Sequence, residues 1–223
     1  GQGAGQASCS ARNGDVNADG GIDLSDAITV LGHLFLGTPT ALLRPCAGGG
    51  SLGLPDTGLA KCYNEQGSEM ECDIVACKGQ DAFYHGGCAM DGRFLDNGDG
   101  TVTDLCTGLV WQKATADVNG DGRIESGTDT LNWCEALEYC EALTFAGHDD
   151  WRLPNVRELE SIVDFGRVQP SIDPKFSAMP TVYWSSTSEV STPYYKWTVS
   201  FEFGSVGDGI NADARYFVRA VRA

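Results

Sequence analysis

The chain has 223 residues, 42% hydrophobic and 21% charged, which is enough apolar material for one packed domain with or without a small appendage. Thirty-one acids against fifteen bases give a net charge of -16, which argues against nucleic acid and anionic membranes as partners. No segment reaches the roughly 18 to 20 apolar residues of a membrane span.

The nine cysteines form no C-x2-C pairs, and the closest spacings are Cys72 to Cys77 and Cys134 to Cys140. In loop-rich surroundings this favours disulfides over a metal cluster, and therefore an oxidising, extracellular or cell-surface location. An odd count leaves either one thiol or one bridge to another chain. Cys9 and Cys46 bracket a compact unit and are expected to pair; the other seven stay open.

Residues 1–8 are Gly, Gln, Ala and Ser with nothing to bury, so an ordered course for them requires a holding surface, such as a neighbouring copy. With no basic region followed by an apolar one, the start reads as an already processed form. Residues 9–46 form the first unit. In Asp15-Val16-Asn17-Ala18-Asp19-Gly20-Gly21-Ile22-Asp23-Leu24-Ser25-Asp26, side-chain oxygens fall at loop positions 1, 3, 5, 9 and 12, with Gly at 6. Calcium takes six to eight oxygens, and the glycine permits the turn that points them inward. A metal-free Asx/Gly turn is the competing reading. The next dozen residues carry Leu24, Ala27, Ile28, Leu31, Leu34 and Phe35 on one helical stripe, and Gly37 ends it.

This unit resembles one repeat of a dockerin, a calcium-loop-and-helix module that normally occurs in pairs and docks onto a cohesin. The resemblance implies Asp15, Asn17, Asp19, Asp23 and Asp26 as ligands, with Gly21 offering its carbonyl. No second copy adjoins it, so its apolar stripe must pack elsewhere on this chain or on another molecule.

Residues 47–92 read as a Cys- and Gly-rich connection. Gly49-Gly50-Ser51-Leu52-Gly53 matches the G-x-S-x-G nucleophile elbow formally, but its flanks supply neither the strand nor the helix that the elbow needs. From residue 93 regular patterns begin. Arg93 to Asp104 reads as a hairpin turning at Asp96-Asn97-Gly98-Asp99-Gly100, with a cation on those aspartates as the lesser alternative. Leu109 to Gln112 is the next strand. A second loop, Asp117-Val118-Asn119-Gly120-Asp121-Gly122-Arg123-Ile124-Glu125, repeats the opening of the first. Its expected calcium ligands are Asp117, Asn119, Asp121, Arg123 at the carbonyl position and Asp129, which lies one step past position 12.

A helix carrying Trp133, Ala136, Leu137, Cys140 and Leu143 follows, and another is expected to begin at Pro154. Residues 195–203 alternate, with Trp197, Val199, Phe201 and Phe203 on one face and Lys196, Thr198, Ser200 and Glu202 on the other. Tyr216, Val218 and Ala220 likewise alternate with Phe217, Arg219 and Val221. Such patterns mark antiparallel sheet, and the expected class is α+β with two helices in the larger domain, residues 93–223.

Five sequence words carry a second resemblance: Asp96 to Asp104; Thr107-Gly108-Leu109-Val110-Trp111-Gln112; Trp151 to Leu159; Tyr183-Trp184-Ser185-Ser186-Thr187; and Val218-Arg219-Ala220-Val221-Arg222. Residues 93–222 resemble the C-terminal domain family named after the Legionella collagen-like adhesin. More loosely, they resemble C-type-lectin-like and formylglycine-generating-enzyme-like folds. The family implies an extracellular domain, linked in its best-known member to adhesion and sulfated-glycan binding, the latter transferring poorly to so acidic a chain. Sulfate recognition needs clustered bases; Arg152, Arg157, Arg219 and Arg222 fall within the family words, and pairing with nearby acids is their expected role. His33, His85 and His148 show no catalytic or metal spacing, so no enzyme is expected. Tyr183, Trp184, Tyr194, Tyr195 and Trp197 form the candidate glycan-stacking set, with core residues as the competing reading.

Two functions fit these features. The first is a calcium-stabilised extracellular structural protein assembling head to tail with itself into a fibre or surface layer. The alternative is a monomeric or tethered adhesin-like module that binds a glycan or protein.

Overall fold

The computed structural model describes residues 54–73, 79–84 and 87–223, apart from the side chains at 84, 208 and 209. The chain divides into two units, Gly1–Ser51 and Leu52–Ala223. The expected Cys9–Cys46 bridge, the first calcium loop (Asp15, Asn17, Asp19, Gly21, Asp23 and Asp26) and the helix after it lie outside the described residues.

The second unit is α+β, with antiparallel sheets and few helices. The Cys-rich connection is not structureless. It carries a two-stranded ladder, β1 (Cys62–Tyr63) and β2 (Glu69–Met70). Asn64 builds the turn between them, its side-chain oxygen accepting from the amides of Gln66 and Ser68. A Cys62–Cys72 disulfide, not assigned from the sequence, closes the element. One helical turn, α1 (Asp81–Tyr84), follows.

A four-stranded sheet comes next, in the order β3 (Phe94–Asp96), β4 (Thr101–Asp104), β5 (Val110–Gln112), β9 (Val221–Arg222). The expected hairpin joins β3 to β4. Asp96 and Asp99 spend side-chain oxygens on the amides of Gly98 and Thr101, so these aspartates build the turn. Gly100 has φ +90, and an added Cβ would stand 2.6 Å from the Phe145 ring, so conformation and space both demand glycine.

Two helices come between β5 and the meander in the chain, α2 (Trp133–Glu141) and α3 (Val156–Ser161). Each begins with a capping box, Asn132 with Glu135 and Asn155 with Glu158. The second helix therefore starts after its Asn cap, and Pro154 precedes the cap instead of occupying the first helical turn. The three-stranded meander β6 (Val182–Ser188), β7 (Tyr195–Ser200), β8 (Ser205–Asn211) completes the domain.

Two apolar clusters fill the interior. The first contains Trp111, Leu159, Ile162, Tyr183, Phe201, Phe217 and Val221; the second contains Leu131, Ala136, Cys140, Trp151, Trp184, Val218 and Ala220. Residues 216–221 separate them. Phe217 and Val221 face one cluster while Tyr216, Val218 and Ala220 face the other, as a period of two requires. Tyr183 and Trp184, neighbours on β6, divide in the same way.

The alternation expected for 195–203 holds only from Val199 to Phe201, because Thr198 is buried too. Val199 and Phe201 are buried, but Lys196 is buried as well and Phe203 is 60% exposed. Register shifts between Trp184 and Ser188 on β6, and between Lys196 and Thr198 on β7, break the strict period.

Arg93 and Asp104 form a fully buried ion pair at the β3–β4 register pair nearest the hairpin's open end. The Arg93 Nε and Nη2 donate to the two carboxylate oxygens at 2.8 and 2.5 Å, and Nη1 donates to the Ser161 carbonyl at the end of α3. Asp104 also accepts from the Cys106 amide and the Thr107 hydroxyl. Removing one partner strands a buried charge. Asp104→Ala is therefore expected to lower unfolding free energy by about 3–5 kcal/mol in urea denaturation; a loss within about 0.5 kcal/mol, typical of surface substitutions, would contradict this role.

Candidate functional site

The loop over 117–129 is folded by its own acidic and amide side chains. Asp117 accepts from the amides of Gly120 and Gly122, both at 2.8 Å. The Asn119 side-chain oxygen accepts from the Asp121 amide, and Asp121 from the Arg123 amide. Gly120 and Gly122 adopt positive φ, 73 and 81, which lets the loop curl around the Asp117 carboxylate. Ile124, at position 8, packs against the first core cluster and Val118 against the second, fastening the loop to the domain at two points.

Asp129 lies at the base. It is fully buried, and its two oxygens accept from the amides of Val118 and Glu125 and the Thr128 hydroxyl. The donor set of this loop is hard oxygen, which suits calcium. Asp117, Asn119, Asp121 and the Arg123 carbonyl lie along the more open part, whereas Asp129 is engaged in stapling the loop shut. Among the described residues no group of three or more His, Cys, Asp or Glu side chains converges as a metal cluster. Asp117 and Asp129 alike spend both carboxylate oxygens on the loop's own amides, while Asn119, Asp121 and Arg123 are exposed.

The expected aromatic set separates into buried and exposed members. Tyr183 and Trp184 are fully buried. The Tyr183 hydroxyl meets the Thr115 hydroxyl and accepts from the Met179 amide, while Trp184 Nε1 donates to the Leu131 carbonyl at 2.7 Å. Neither ring can stack on a ligand. Both belong to the core because alternate β6 residues fill the two clusters. Tyr194 and Tyr195 are 50% and 38% exposed, with ring centroids 6.0 Å apart. Trp197 is half-buried.

Around the exposed tyrosines the structure adds residues that the sequence reading did not single out. The Tyr194 hydroxyl donates to Asp213 at 2.8 Å. Glu189 organises the β6–β7 loop by accepting from the Ser191 amide and hydroxyl and from the Thr192 amide; these bonds, the Ser191 amide first, hold its carboxyl below the usual range. Lys196, buried at the base, donates to the Ser188 hydroxyl and Pro193 carbonyl, and its ammonium lies 3.9 Å from the Trp133 ring centroid. Its place in the alternation signalled a solvent-facing residue, and only the displaced register reveals otherwise. A separate cavity of about 450 Å³, lined by Arg167, Val168, Pro170, Ile172, Pro174 and Phe176, includes none of these tyrosines.

The family-word arginines do not form a free basic cluster. Arg152 grips Glu158 through both terminal nitrogens at 2.7 and 2.6 Å, Arg157 meets Glu160 at 3.2 Å, and Arg222 grips Asp150 at 2.6 and 3.0 Å. Arg219 departs from the expected acid pairing. It is fully buried and donates to the carbonyls of Gln112, Lys113 and Ser177.

Asp129 sets the loop's response to acid. Burial pushes its carboxyl up, but the Glu125 and Val118 amides and the Thr128 hydroxyl outweigh it and hold the carboxyl below its ordinary value. A carboxyl depressed in the folded state adds stability that is present above its unfolded pKa, about 3.9, and is lost as pH falls through the folded value. Asp129→Asn is expected to reduce stability at neutral pH and to flatten the dependence of the urea midpoint between about pH 5 and 2. An unchanged slope would contradict the assignment.

The Lcl C-terminal domain model matches residues 100–222, over half of the chain. The match begins at the β3–β4 turn, so Arg93 and β3 precede it while pairing with matched residues. No curated protein matches the chain. On the strength of that match across three strands of the four-stranded sheet, both longer helices and the meander, the chain belongs to the Lcl C-terminal domain family.

Proposed function

We propose that this is an adhesin-like extracellular protein, stabilised by calcium, that assembles head to tail with further copies of itself. The observation carrying the calcium part is the second loop: Asp117 gathers the Gly120 and Gly122 amides while Val118 and Ile124 anchor the loop to the two cores. Neutralising the loop's acids would stiffen a surface tied directly to the interior. The first loop, with the same Asp-Val-Asn-x-Asp-Gly opening, would do so within a dockerin-like unit. Extracellular modules hold calcium with dissociation constants of roughly 0.1 to 1 mM, which external calcium saturates.

The assembly part rests on that unit's apolar stripe, Leu24 to Phe35, which lacks the second repeat that would normally cover it. A stripe that docks on another copy's larger domain makes a heterologous contact, and such contacts propagate when they do not close. The chemistry is non-enzymatic in this reading. No helix among the described residues is long and apolar enough to cross a membrane.

A second reading, a lectin-like module binding a glycan, is favoured by one observation. Tyr194 and Tyr195 present two exposed rings beside Asp213, a combination of stacking surface and hydrogen-bond acceptor suited to a sugar. The paired arginines leave no free basic cluster among the described residues for a sulfated ligand, so a neutral glycan fits better.

Electron microscopy of the purified chain in millimolar calcium, repeated after EGTA, separates the two. Regular filaments that disperse on chelation are expected. Dispersed monomers under both conditions would overturn assembly and leave the glycan reading.

A further inference from the structure

Cys88 and Cys106 lie on two different parts of the second unit and meet at their side chains. Cys88 belongs to the Cys-rich connection. Its amide donates to the Leu54 carbonyl and its carbonyl accepts from the Asp56 amide, making a short parallel bridge with Pro55. Cys106 belongs to the turn that follows β4, where its amide donates to Asp104.

The backbone brings the two segments together. The Arg93 amide donates to the Met90 carbonyl, and the Leu105 amide donates to the Arg93 carbonyl, extending the β3–β4 ladder past its last register pair. Arg93 is thus bonded to the residue before Cys106, and a turn over Met90 to Arg93 leads back toward Cys88. The Cys88 and Cys106 side chains lie within interaction range of each other. Cys106 is buried at 1% exposure, while Cys88 retains access to solvent. Burial first, and the Cys88 contact second, push the Cys106 thiol up to about 12.

We propose that Cys88 and Cys106 are joined by a disulfide in the secreted protein, stapling the Cys-rich connection to the first hairpin of the family domain. This uses the oxidising location of the function proposed above but neither its calcium binding nor its assembly. The oxidant is a small disulfide such as oxidised glutathione. The accessible Cys88, as thiolate, attacks one sulfur of the oxidant, forming a mixed disulfide and releasing one thiol. The Cys106 sulfur then attacks the Cys88 sulfur, the second thiol leaves, and the Cys106 proton passes to it. Two cysteine thiols are oxidised and one disulfide is reduced to two thiols, so atoms and electrons balance.

The hairpin already carries the buried Arg93–Asp104 pair, and Asp104 orients the Cys106 amide. The cross-link would fix residues 88 and 106 on either side of that pair. Together with Cys62–Cys72 it would give the connection two covalent ties, one internal and one to the sheet.

The test is non-reducing peptide mapping of the full chain, refolded in a glutathione redox buffer, alkylated in denaturant and cut with trypsin. Cleavage after Lys78, Arg93 and Lys113 puts Cys88 in peptide 79–93 and Cys106 in peptide 94–113. A single linked species is expected, lighter by two hydrogens than the sum of the two peptides, together with near-complete loss of alkylation at both cysteines. Cys62 and Cys72 share peptide 62–78 and report whether the sample was oxidised. Full alkylation of Cys88 and Cys106 where Cys62 and Cys72 are protected would overturn the proposal, as would either cysteine linked to Cys77 or Cys134. In Cys88→Ser the linked species should vanish while the Cys62–Cys72 bridge persists.

Discussion

The domain depends on a charged side chain placed where charge is most costly. Arg219 sits in the segment separating the two apolar clusters, with its guanidinium wholly removed from water. Among the described residues no carboxylate forms an ion pair with it. The carbonyls of Gln112, Lys113 and Ser177 receive its terminal nitrogens, and the ring of Phe176 lies 5.1 Å away. Desolvation lowers its pKa from the usual arginine value. Its carbonyl partners come from the end of β5 and the segment before β6, so one side chain ties together three stretches distant in sequence. The Lys113 and Ser177 carbonyls already accept from the Ser177 and Thr115 amides, so Arg219 adds a second, charged donor to each.

The same segment explains why the two cores are interdependent. Leu131 pairs with Tyr216, Tyr183 with Phe217, and Arg152 with Val221, so residues 216–222 are bonded on both sides along most of their length. Substituting on one face of this segment disturbs the register on the other. The two surface features with functional promise are fastened to the frame at different points. The 117–129 loop hangs from Val118 and Ile124, and the Tyr194–Tyr195 corner stands on Lys196 and Trp133. Each has a mobile-looking sequence held by a buried polar or apolar anchor, which is how a rigid scaffold presents loops for recognition.

Much of this was legible in the residues. The alternation of 216–221 correctly divides its side chains between the two cores, and Asn-Gly and Asp-Gly mark the β3–β4 turn. What was not legible came from long-range geometry. Lys196 reads as solvent-facing until the register shifts on β6 and β7 are known. Pro154 reads as a helix start, yet the Asn155 side chain competes better for the free amides and moves the start beyond it. The pairing of Cys62 with Cys72 depends on a two-residue ladder too short to leave a pattern. Arg219 looks like its neighbours Arg152 and Arg222, each paired with an acid, because sequence gives no sign of which arginine is enclosed. For Tyr183 and Trp184 the sequence leaves stacking and core roles both open: period two shows that they face opposite ways, but not that both faces are covered.

Residues 216–222 form the common wall of two cores, which predicts that the domain opens as one cooperative unit. Hydrogen exchange of the full chain, read by mass spectrometry across peptides, tests it most directly. The amides of Leu131, Arg152, Trp184, Tyr216 and Val221, bonded across that wall, should be among the slowest to exchange and should open together as denaturant is added. Early exchange through 216–222, while 182–188 and 195–200 remain protected, would show that the meander stands without that segment and that it is no common wall.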